Sequence, residues 1–309
     1  MSDSIRQDPG AECVSTTFLD LFEQERGRLF GIAYRMLGSV SEAEDILQDA
    51  YLRWHAVAHE TVTHPTAFLV RLVTRLCIDA LKSARNQRTE YIGPWLPEPL
   101  LLDDRQHDNP ATVQELADDL STAFLLLLER LTPVERAVFL LHESFGFSYA
   151  EIAPVIGKSE QNCRQIARRA RQHLDTNGQF VPADPSEHDL LLTRFLHAIR
   201  DGDVQGMVAL LAQDAVLYTD GGGKVQAARQ PVLGADHIAR FLLGLTRKFA
   251  GRMMVRFAAI NGRTGMLTYI DDQLQNVITM SIVNGKIQQM FVVVNPDKLP
   301  PDRARVDVP

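Results

Sequence analysis

Two helix-starting signals in the middle of this 309-residue chain constrain its fold more than any other feature. Thr132-Pro133-Val134-Glu135 combines an N-cap threonine, a proline at the first helical position and a capping-box glutamate. Ser148-Tyr149-Ala150-Glu151 repeats the capping box, and Gly157 can adopt the left-handed conformation that ends a helix in a tight turn. Ser159 can then cap another helix. The pattern predicts a short helix, a glycine turn and a further helix.

That further helix is strongly basic, although the net charge of the chain is −7. Lys158 to Arg171 contains five cations and one glutamate. A short helix, a turn and a basic helix predict a helix-turn-helix, whose second helix enters the major groove of DNA. An ordinary helical hairpin is the alternative, and Pro154 requires the first helix to be short or kinked. The predicted base and phosphate contacts are Lys158, Ser159, Glu160, Gln161, Asn162, Arg164, Gln165, Arg168 and Arg171.

A second cationic surface is predicted on a helix that starts after Pro65. At about 100° per residue, four cations fall on one stripe about 80° wide, while an apolar face lies on the other side. This geometry suits a helix that follows a phosphate backbone. A solvated face salted with arginines is the alternative, and Ile78 interrupts the stripe. The four cations are Arg71, Arg75, Lys82 and Arg85.

The residues before this helix predict further helices. Ser41 and Glu44 form a capping-box pair, and one apolar face follows at helical spacing from Ala43 to Trp54. Two apolar stretches upstream, 18–22 and 29–37, predict two more amphipathic helices. Residues 1–90 are therefore expected to form an all-helical domain.

The acidic charge of the chain is concentrated in one segment. Residues 91–129 alone carry a net charge of −7, equal to that of the whole chain. Prolines and the Asp103-Asp104 pair predict an extended linker over 91–112, followed by a helix from Val113 to Leu128. The second helical domain is expected over 113–176.

The composition excludes several other classes of protein. Three cysteines, Cys13, Cys77 and Cys163, are too few for a disulfide framework and are expected to be reduced core thiols. No apolar run approaches the roughly 20 residues of a membrane-spanning helix, and the first residues contain no export signal. We therefore expect a cytoplasmic protein with no membrane partner.

The pattern changes after residue 188. Strand-like runs are separated by Asn261-Gly262 and Asn284-Gly285, which are strong signals for two-residue hairpins. Helices followed by an antiparallel meander predict an α+β layer fold over 188–296. The expected elements before the meander are a helix over Leu190–Ile199, a turn at 201–203, a helix that includes Leu211, a strand-like run over 216–218, and a helix over Ala235–Phe249.

Roughly the first 175 residues resemble a bacterial extracytoplasmic-function (ECF) sigma factor, the subunit that directs RNA polymerase to promoters. Ser41–Trp54 is similar to the core-polymerase-binding helix of that family, Pro65–Arg88 to its downstream-element helix, and Leu131–Leu174 to its upstream-element reader. The resemblance implies core RNA polymerase and promoter DNA as partners, and it places the loop His55 to His64 around an unstacked base. The implied polymerase contacts are Glu44, Asp45, Gln48, Asp49 and Arg53.

Residues 188–296 resemble the SnoaL-like domain of the NTF2-like superfamily, a curved sheet folded around helices with a pocket in its concave face. The expected fold is multidomain, with two all-α sigma domains followed by this α+β domain and a tail over 297–309. A subgroup of ECF sigma factors carries such a domain and is regulated by it in cis. The segments that resemble the subgroup's signatures are Trp95-Leu96-Pro97-Glu98-Pro99, Asp220-Gly221-Gly222-Gly223-Lys224 and Asn295-Pro296-Asp297-Lys298-Leu299.

We expect the triple-glycine loop and the Asn295-to-Leu299 tail to contact the linker or the helical domains. A tethered domain acts at high effective concentration, so weak contacts with the linker would bias the DNA-binding domains. The alternatives are that the three glycines form a flexible turn and that Asn295-Pro296 ends a chain element.

Other functions remain open for the α+β domain. Tyr218, Asp220 and His237 could supply an acid and a base in a bifunctional DNA-binding enzyme, but nothing in their spacing requires catalysis. Asp220 is expected to be a solvated turn carboxylate. We expect no cofactor, no metal and no enzymatic activity, while an unknown small ligand in the pocket stays open. One sigma factor serves one polymerase, so a monomer is expected.

Overall fold

The computed structural model describes residues 9–58, 62–88, 91–101, 120–175 and 184–300. Three helices come first, four follow the linker, and three belong to the last region. Their bounds are α1 Pro9–Leu37, α2 Val40–His55, α3 Pro65–Arg88, α4 Thr122–Leu128, α5 Pro133–Glu143, α6 Tyr149–Ile156, α7 Glu160–Asp175, α8 Pro185–Asp201, α9 Val204–Leu210 and α10 Ala235–Lys248.

The first three helices pack on one another around fully buried side chains such as Leu29, Tyr34 and Trp54. The two upstream apolar stretches belong to one continuous helix, α1, rather than to two. The predicted capping box at Ser41 is wrong. Gly38, with φ of 70°, ends α1, so Ser39 becomes the N-cap of α2 and accepts a hydrogen bond from the backbone N–H of Glu42.

The helix-turn-helix starts and stops where its local signals predict. Thr132 with Glu135 and Ser148 with Glu151 form complete capping boxes at α5 and α6, and Gly157 ends α6 at φ of 68°. Cys77 and Cys163 are buried as expected, whereas Cys13 lies outside the described side chains. The helix expected from Val113 to Leu128 is described only from residue 120, and there it is interrupted: residues 120 and 121 are not helical, and Ser121 is the N-cap of α4. Residues 113–119 lie outside the described residues. The linker is described only over 91–101, where it is extended.

The last region forms a curved sheet of six strands in the order β2-β1-β6-β5-β4-β3. All neighbours are antiparallel except β1 and β6, which run parallel, so their carboxyl ends meet at one edge. Leu211 begins β1 rather than extending α9. The bounds are β1 Leu211–Asp220, β2 Val232–Leu233, β3 Met253–Ile260, β4 Arg263–Ile270, β5 Gln273–Val283 and β6 Lys286–Val293.

Both Asn-Gly hairpins are confirmed. Asn261-Gly262 joins β3 to β4 and Asn284-Gly285 joins β5 to β6, with positive φ at all four residues as a type I′ turn requires. A third such turn, Asp271-Asp272 between β4 and β5, has φ of 50° and 60° and was not predicted.

The two faces of the sheet have different neighbours. One face carries Leu217, Met280 and Met290 and packs against α8, α9 and α10. On the other face, Phe291 and Val293 form a cluster with Leu96 of the linker and Ala123 of α4. The expected fold class, two helical domains followed by an α+β domain, is confirmed, and the linker lies between the sheet and the helices.

Candidate nucleic-acid interface and interdomain junction

The predicted reader helix, α7, has one packed and one exposed side. Ser159 caps it, because its Oγ accepts a hydrogen bond from the backbone N–H of Asn162 at 3.2 Å. Cys163, Ile166 and Ala170 are buried in the helical core. Asn162 is half-buried, and the exposed candidates are Lys158, Ser159, Glu160, Gln161, Arg164, Gln165, Arg168 and Arg171.

Two of the three candidate arginines on α7 already have acidic partners. Arg164 pairs with Glu160 one turn earlier, and Arg171 pairs with Glu143 at the end of α5. Within the described part of the chain, Arg168 has no such carboxylate. DNA phosphates would therefore meet Arg168 directly and would compete with carboxylates for the other two.

The predicted cationic stripe of α3 is largely engaged within the protein. Arg71 lies over the Phe68 ring, 5.3 Å from its centroid, and Lys82 Nζ donates to Asp79 at 3.1 Å. Arg75 instead reaches the carboxyl end of α6 in the other helical domain. The side chain of Arg85 lies outside the described residues, as do residues 59–61 of the loop His55 to His64.

The predicted polymerase-binding surface on α2 is exposed. Asp45, Gln48, Asp49 and Arg53 face solvent, and Glu44 forms an ion pair with Arg26 of α1 at 2.8 Å. Sequence reasoning missed Leu52, which is 59% exposed beside these polar residues. The signal was available, because Leu52 stands off the apolar face that ends at Trp54. Leu52 therefore lies on the same exposed side of α2 as the predicted polymerase contacts.

The three signature-like segments meet at what we call the interdomain junction: residues 91–99 of the linker, the loop Asp220–Lys224 and the tail Asn295–Leu299. Its centre is the Asp220 carboxylate, which is fully buried, so the expectation of a solvated carboxylate is wrong. Oδ1 accepts from the Tyr91 hydroxyl at 2.6 Å and the Gly222 N–H at 3.0 Å. Oδ2 accepts from the Leu96 N–H and from Lys298 Nζ, both at 2.8 Å.

Lys298 completes the charge pair at this centre. Its side chain is only 13% exposed, and Nζ also donates to the Leu96 carbonyl at 2.7 Å. The same ammonium lies 4.4 Å from the Trp95 ring centroid and 5.0 Å from that of Tyr91. Carboxylate, carbonyl and two aromatic faces together replace the water that a lysine loses on burial.

Tyr91 was missed by sequence reasoning, since no local sequence pattern indicates its hydrogen-bond partners. Its hydroxyl donates to Asp220 and accepts from Asn295 Nδ2 at 3.1 Å. Burial, and then the neighbouring Asp220 carboxylate, raise the pKa of the Tyr91 phenol well above its usual range.

The triple glycine is required by close approach as well as by backbone conformation. A Cβ on Gly222 would lie 2.4 Å from Asn295 Nδ2, and a Cβ on Gly223 would lie 2.9 Å from Ile92 of the linker. Both residues have positive φ. Lys224 of the loop forms an exposed ion pair with Asp297 of the tail.

The linker also binds the first helical domain. Glu98 Oε2 accepts hydrogen bonds from the Ser39 hydroxyl and the Val40 N–H, both at 2.9 Å, at the amino end of α2. A carboxylate is favourable there because the helix dipole places partial positive charge at that end. The Trp95 ring lies against Gly38, where a Cβ would be 2.8 Å from the ring.

Asn261 connects the sheet to α1 and to the linker, although the sequence predicted it only as a turn residue. It is 1% exposed, and its Nδ2 donates to the Tyr34 hydroxyl of α1 at 2.7 Å and to the Leu120 carbonyl at 3.0 Å. Its Oδ1 accepts from the Leu100 N–H of the linker at 2.8 Å. One side chain in a hairpin of the sheet therefore contacts α1, the linker and the residue before the α4 cap.

Two family models match the helical regions: Sigma-70 region 2 over residues 21–87 and Sigma-70, region 4 over residues 121–174. The chain is 34% identical over 287 residues to the ECF RNA polymerase sigma factor SigJ of Mycobacterium tuberculosis, covering 90% of this chain and 91% of SigJ. This chain is an ECF sigma factor. It is also 31% identical over 293 residues to the probable ECF RNA polymerase sigma factor SigI of that organism, covering 91% of this chain and 94% of SigI.

A crystal structure of M. tuberculosis SigJ overlaps this ECF sigma factor with a TM-score of 0.74 and 33% identity. The overlap covers 91% of this chain and 97% of the SigJ chain, so it extends through the α+β region. We therefore call α1–α3 sigma region 2 and α4–α7 sigma region 4. Among the helices that the structure describes, none is long and apolar enough to cross a membrane.

Each of the residues considered for catalysis has other contacts in the structure. Tyr218 stacks on Phe291 with a centroid distance of 5.7 Å, and Asp220 is surrounded by the junction. His237 is exposed and contacts the Leu233 carbonyl through Nδ1. Within the described residues, no group of three histidine, cysteine or acidic side chains could hold a metal ion.

Proposed function

We propose that this ECF sigma factor recruits core RNA polymerase to promoter DNA and that its α+β domain regulates this step in cis. The observation that carries the first part is the exposed acidic and apolar surface of α2, which lies in the same chain as an exposed basic recognition helix. A simple operator-binding repressor has no use for the α2 surface. The protein would act as one copy per polymerase in the cytoplasm.

The α2 surface can be tested by charge reversal. Asp45→Arg with Asp49→Arg should abolish association with purified core enzyme and run-off transcription, because it places two cations where two carboxylates face the partner. Glu187→Arg with Asp189→Arg is the matched control, since it makes the same charge change at exposed positions of α8. Retained association of the α2 variant would refute the proposed role of this surface.

Leu52 offers an independent test of the same surface. Leu52→Ala should weaken core-enzyme binding, since a partner that covers this leucine removes its apolar surface from water. Leu190→Ala removes a leucine that is equally exposed, 59%, on α8 and should leave binding unchanged. Equal effects of the two substitutions would contradict the assignment.

The regulatory part is supported by the junction, which ties the linker to the α+β domain and to α2 at once. Loosening it should raise promoter output severalfold, because the linker would no longer hold regions 2 and 4 in their present arrangement. Lys298→Ala removes a buried charge, while Lys224→Ala removes only the exposed partner of Asp297 and serves as control. Chains that end near residue 176 or residue 294 extend the comparison. Identical output from the full chain and all variants would remove the regulatory proposal.

We propose that a small ligand binds beside the junction. A cavity of about 430 Å³ lies between Ile92-Gly93 of the linker and the loop 221–229. Its occupant would touch both sides of the contact that we propose as regulatory. A thermal-shift screen should yield compounds that stabilise the natural chain but not Ala228→Trp, which fills the cavity. Compounds that stabilise both equally bind elsewhere.

A further inference from the structure

Regions 2 and 4 pack directly on each other through the side of α3 that carries the cationic stripe. α3 lies along α6 and α5, and the buried residues of both regions belong to one apolar cluster. Ile78, which interrupts the stripe, is 7% exposed and belongs to that cluster together with Ile152 and Val155 of α6. The interruption is thus an apolar contact residue within a surface expected to face DNA.

Arg75 provides the polar part of this contact. Its Nε donates to the Val155 carbonyl at 3.1 Å and its Nη2 to the Pro154 carbonyl at 3.3 Å. These carbonyls belong to the last turn of α6, where helices lack internal donors. The N–H groups of Gly157 and Lys158, which could have served them, both go to the Ala153 carbonyl.

A guanidinium at this position is favourable for two reasons. It supplies two donors in a fixed fork, and it places positive charge at the negative end of the α6 dipole. The guanidinium is nevertheless on the exposed side of α3, where a phosphate group could reach it.

We propose that Arg75 is a latch with two exclusive partners, the carboxyl end of α6 or a phosphate of promoter DNA. The Nε–Nη2 edge that bonds α6 cannot also make a two-bond contact with a phosphate, and a duplex laid along the α3 stripe would occupy the space of α6. DNA binding by region 2 therefore requires regions 2 and 4 to separate, and release of Arg75 from α6 is part of that separation. This rests on the proposed DNA contact of α3, but it needs neither polymerase nor a known promoter to be tested.

The first measurement is the separation of the two regions in the full chain without DNA. Fluorophores are placed at Ser83→Cys on α3 and Gln172→Cys on α7, both exposed, with Cys13→Ser to remove a third labelling site. Arg75→Gln should lower energy transfer between them, since α6 loses its cap. Arg71→Gln, which removes a cation stacked within region 2, should not. Unchanged transfer in Arg75→Gln would overturn the proposal.

The second measurement uses a 30-base-pair duplex of random sequence as the phosphate probe. Ile78→Gln should open the apolar contact while keeping Arg75, so the dependence of log affinity on log salt should steepen by at least about 0.9, the value for one phosphate contact. Adding Arg75→Gln should remove about that amount again. Opening by Ile78→Gln with no change in slope would refute the shared latch.

The two arms separate this inference from the proposed function. If neither Arg71→Gln nor Arg75→Gln lowers the slope of Ile78→Gln, the predicted DNA contact of α3 fails, and the region 2 part of the proposed function fails with it. If that slope falls but Arg75→Gln does not open the chain, only the latch fails. Circular dichroism melts verify that each variant is folded. The energy-transfer experiment does not use an Ile78 variant: it replaces Arg75, which is exposed, so a folding defect caused by Ile78→Gln does not affect it.

Discussion

Replacing Asp220 by asparagine tests whether the buried charge pair holds the junction closed. The carboxylate accepts four hydrogen bonds, two at each oxygen. An asparagine has one acceptor oxygen. If that oxygen still accepts from the Tyr91 hydroxyl and the Gly222 N–H, the new NH₂ group faces the Leu96 N–H and Lys298 Nζ. Both of these are donors, so they lose their acceptor.

The magnitude follows from these contacts. An unsatisfied buried donor costs about 1–3 kcal/mol, and a buried charge left without its partner about 3–5 kcal/mol. Together the two effects cost about 4–8 kcal/mol. Since Lys298 is 13% exposed and can turn partly toward water, we take the lower end, about 4 kcal/mol for the whole change. At 1.4 kcal/mol per factor of ten, opening of the junction becomes roughly a thousandfold more frequent.

Hydrogen exchange of the linker amides in residues 91–101 measures this opening directly. Protection of the Leu96 amide should fall by that factor, whereas the exposed pair is a control: Asp297→Asn should leave protection nearly unchanged. Asp220→Asn combined with Lys298→Met should recover part of the loss, because no charge is left unpaired. Full protection in Asp220→Asn alone would show that the pair does not hold the linker, and the reasoning would fail.

Three further predictions concern single residues. Asn261→Asp should destabilise the protein by about 2–4 kcal/mol, because the Tyr34 hydroxyl and the Leu120 carbonyl lose their donor. Asn284→Asp in an exposed turn of the same type should not, and thermal unfolding compares them. The raised pKa of Tyr91 means that its contribution is complete below pH 10 and is lost as the pH rises further, so linker protection should fall above pH 10, and less so in Tyr91→Phe. Gly157→Ala should cost about 1–2 kcal/mol in region 4 stability, since α6 ends there at positive φ; equal melting temperatures would contradict this.

The sequence was most informative where structure depends on neighbours within one or two helical turns. Capping boxes at Thr132 and Ser148 and the left-handed Gly157 were all predictable, because the groups that bond are three or four residues apart. The capping box at Ser41 failed for a related reason. The end of α1 at Gly38 decides where α2 can begin, and a helix end was not recognised there.

The junction could be predicted only in part. The three signature segments were identified by resemblance, but the burial of Asp220 depends on Tyr91 and Leu96, more than 120 residues away in sequence. Asn261 was predictable as a turn residue, since an Asn-Gly pair between apolar runs is a local signal. Its contacts with Tyr34 and Leu100 depend on how the sheet meets α1, which no local pattern encodes.

The parallel pairing of β1 with β6 determines how the junction can respond. Because the two strands finish side by side, the Asp220 carbonyl accepts the N–H groups of both Val294 and Asn295, and the same residue's carboxylate receives Lys298. A buried carboxylate that loses one of its donors is destabilised, so we expect its hydrogen bonds to break together. A cell that shifts this balance would contain two populations of the protein, one restrained and one released, and transcription would change through their ratio rather than through a gradual loosening of every molecule.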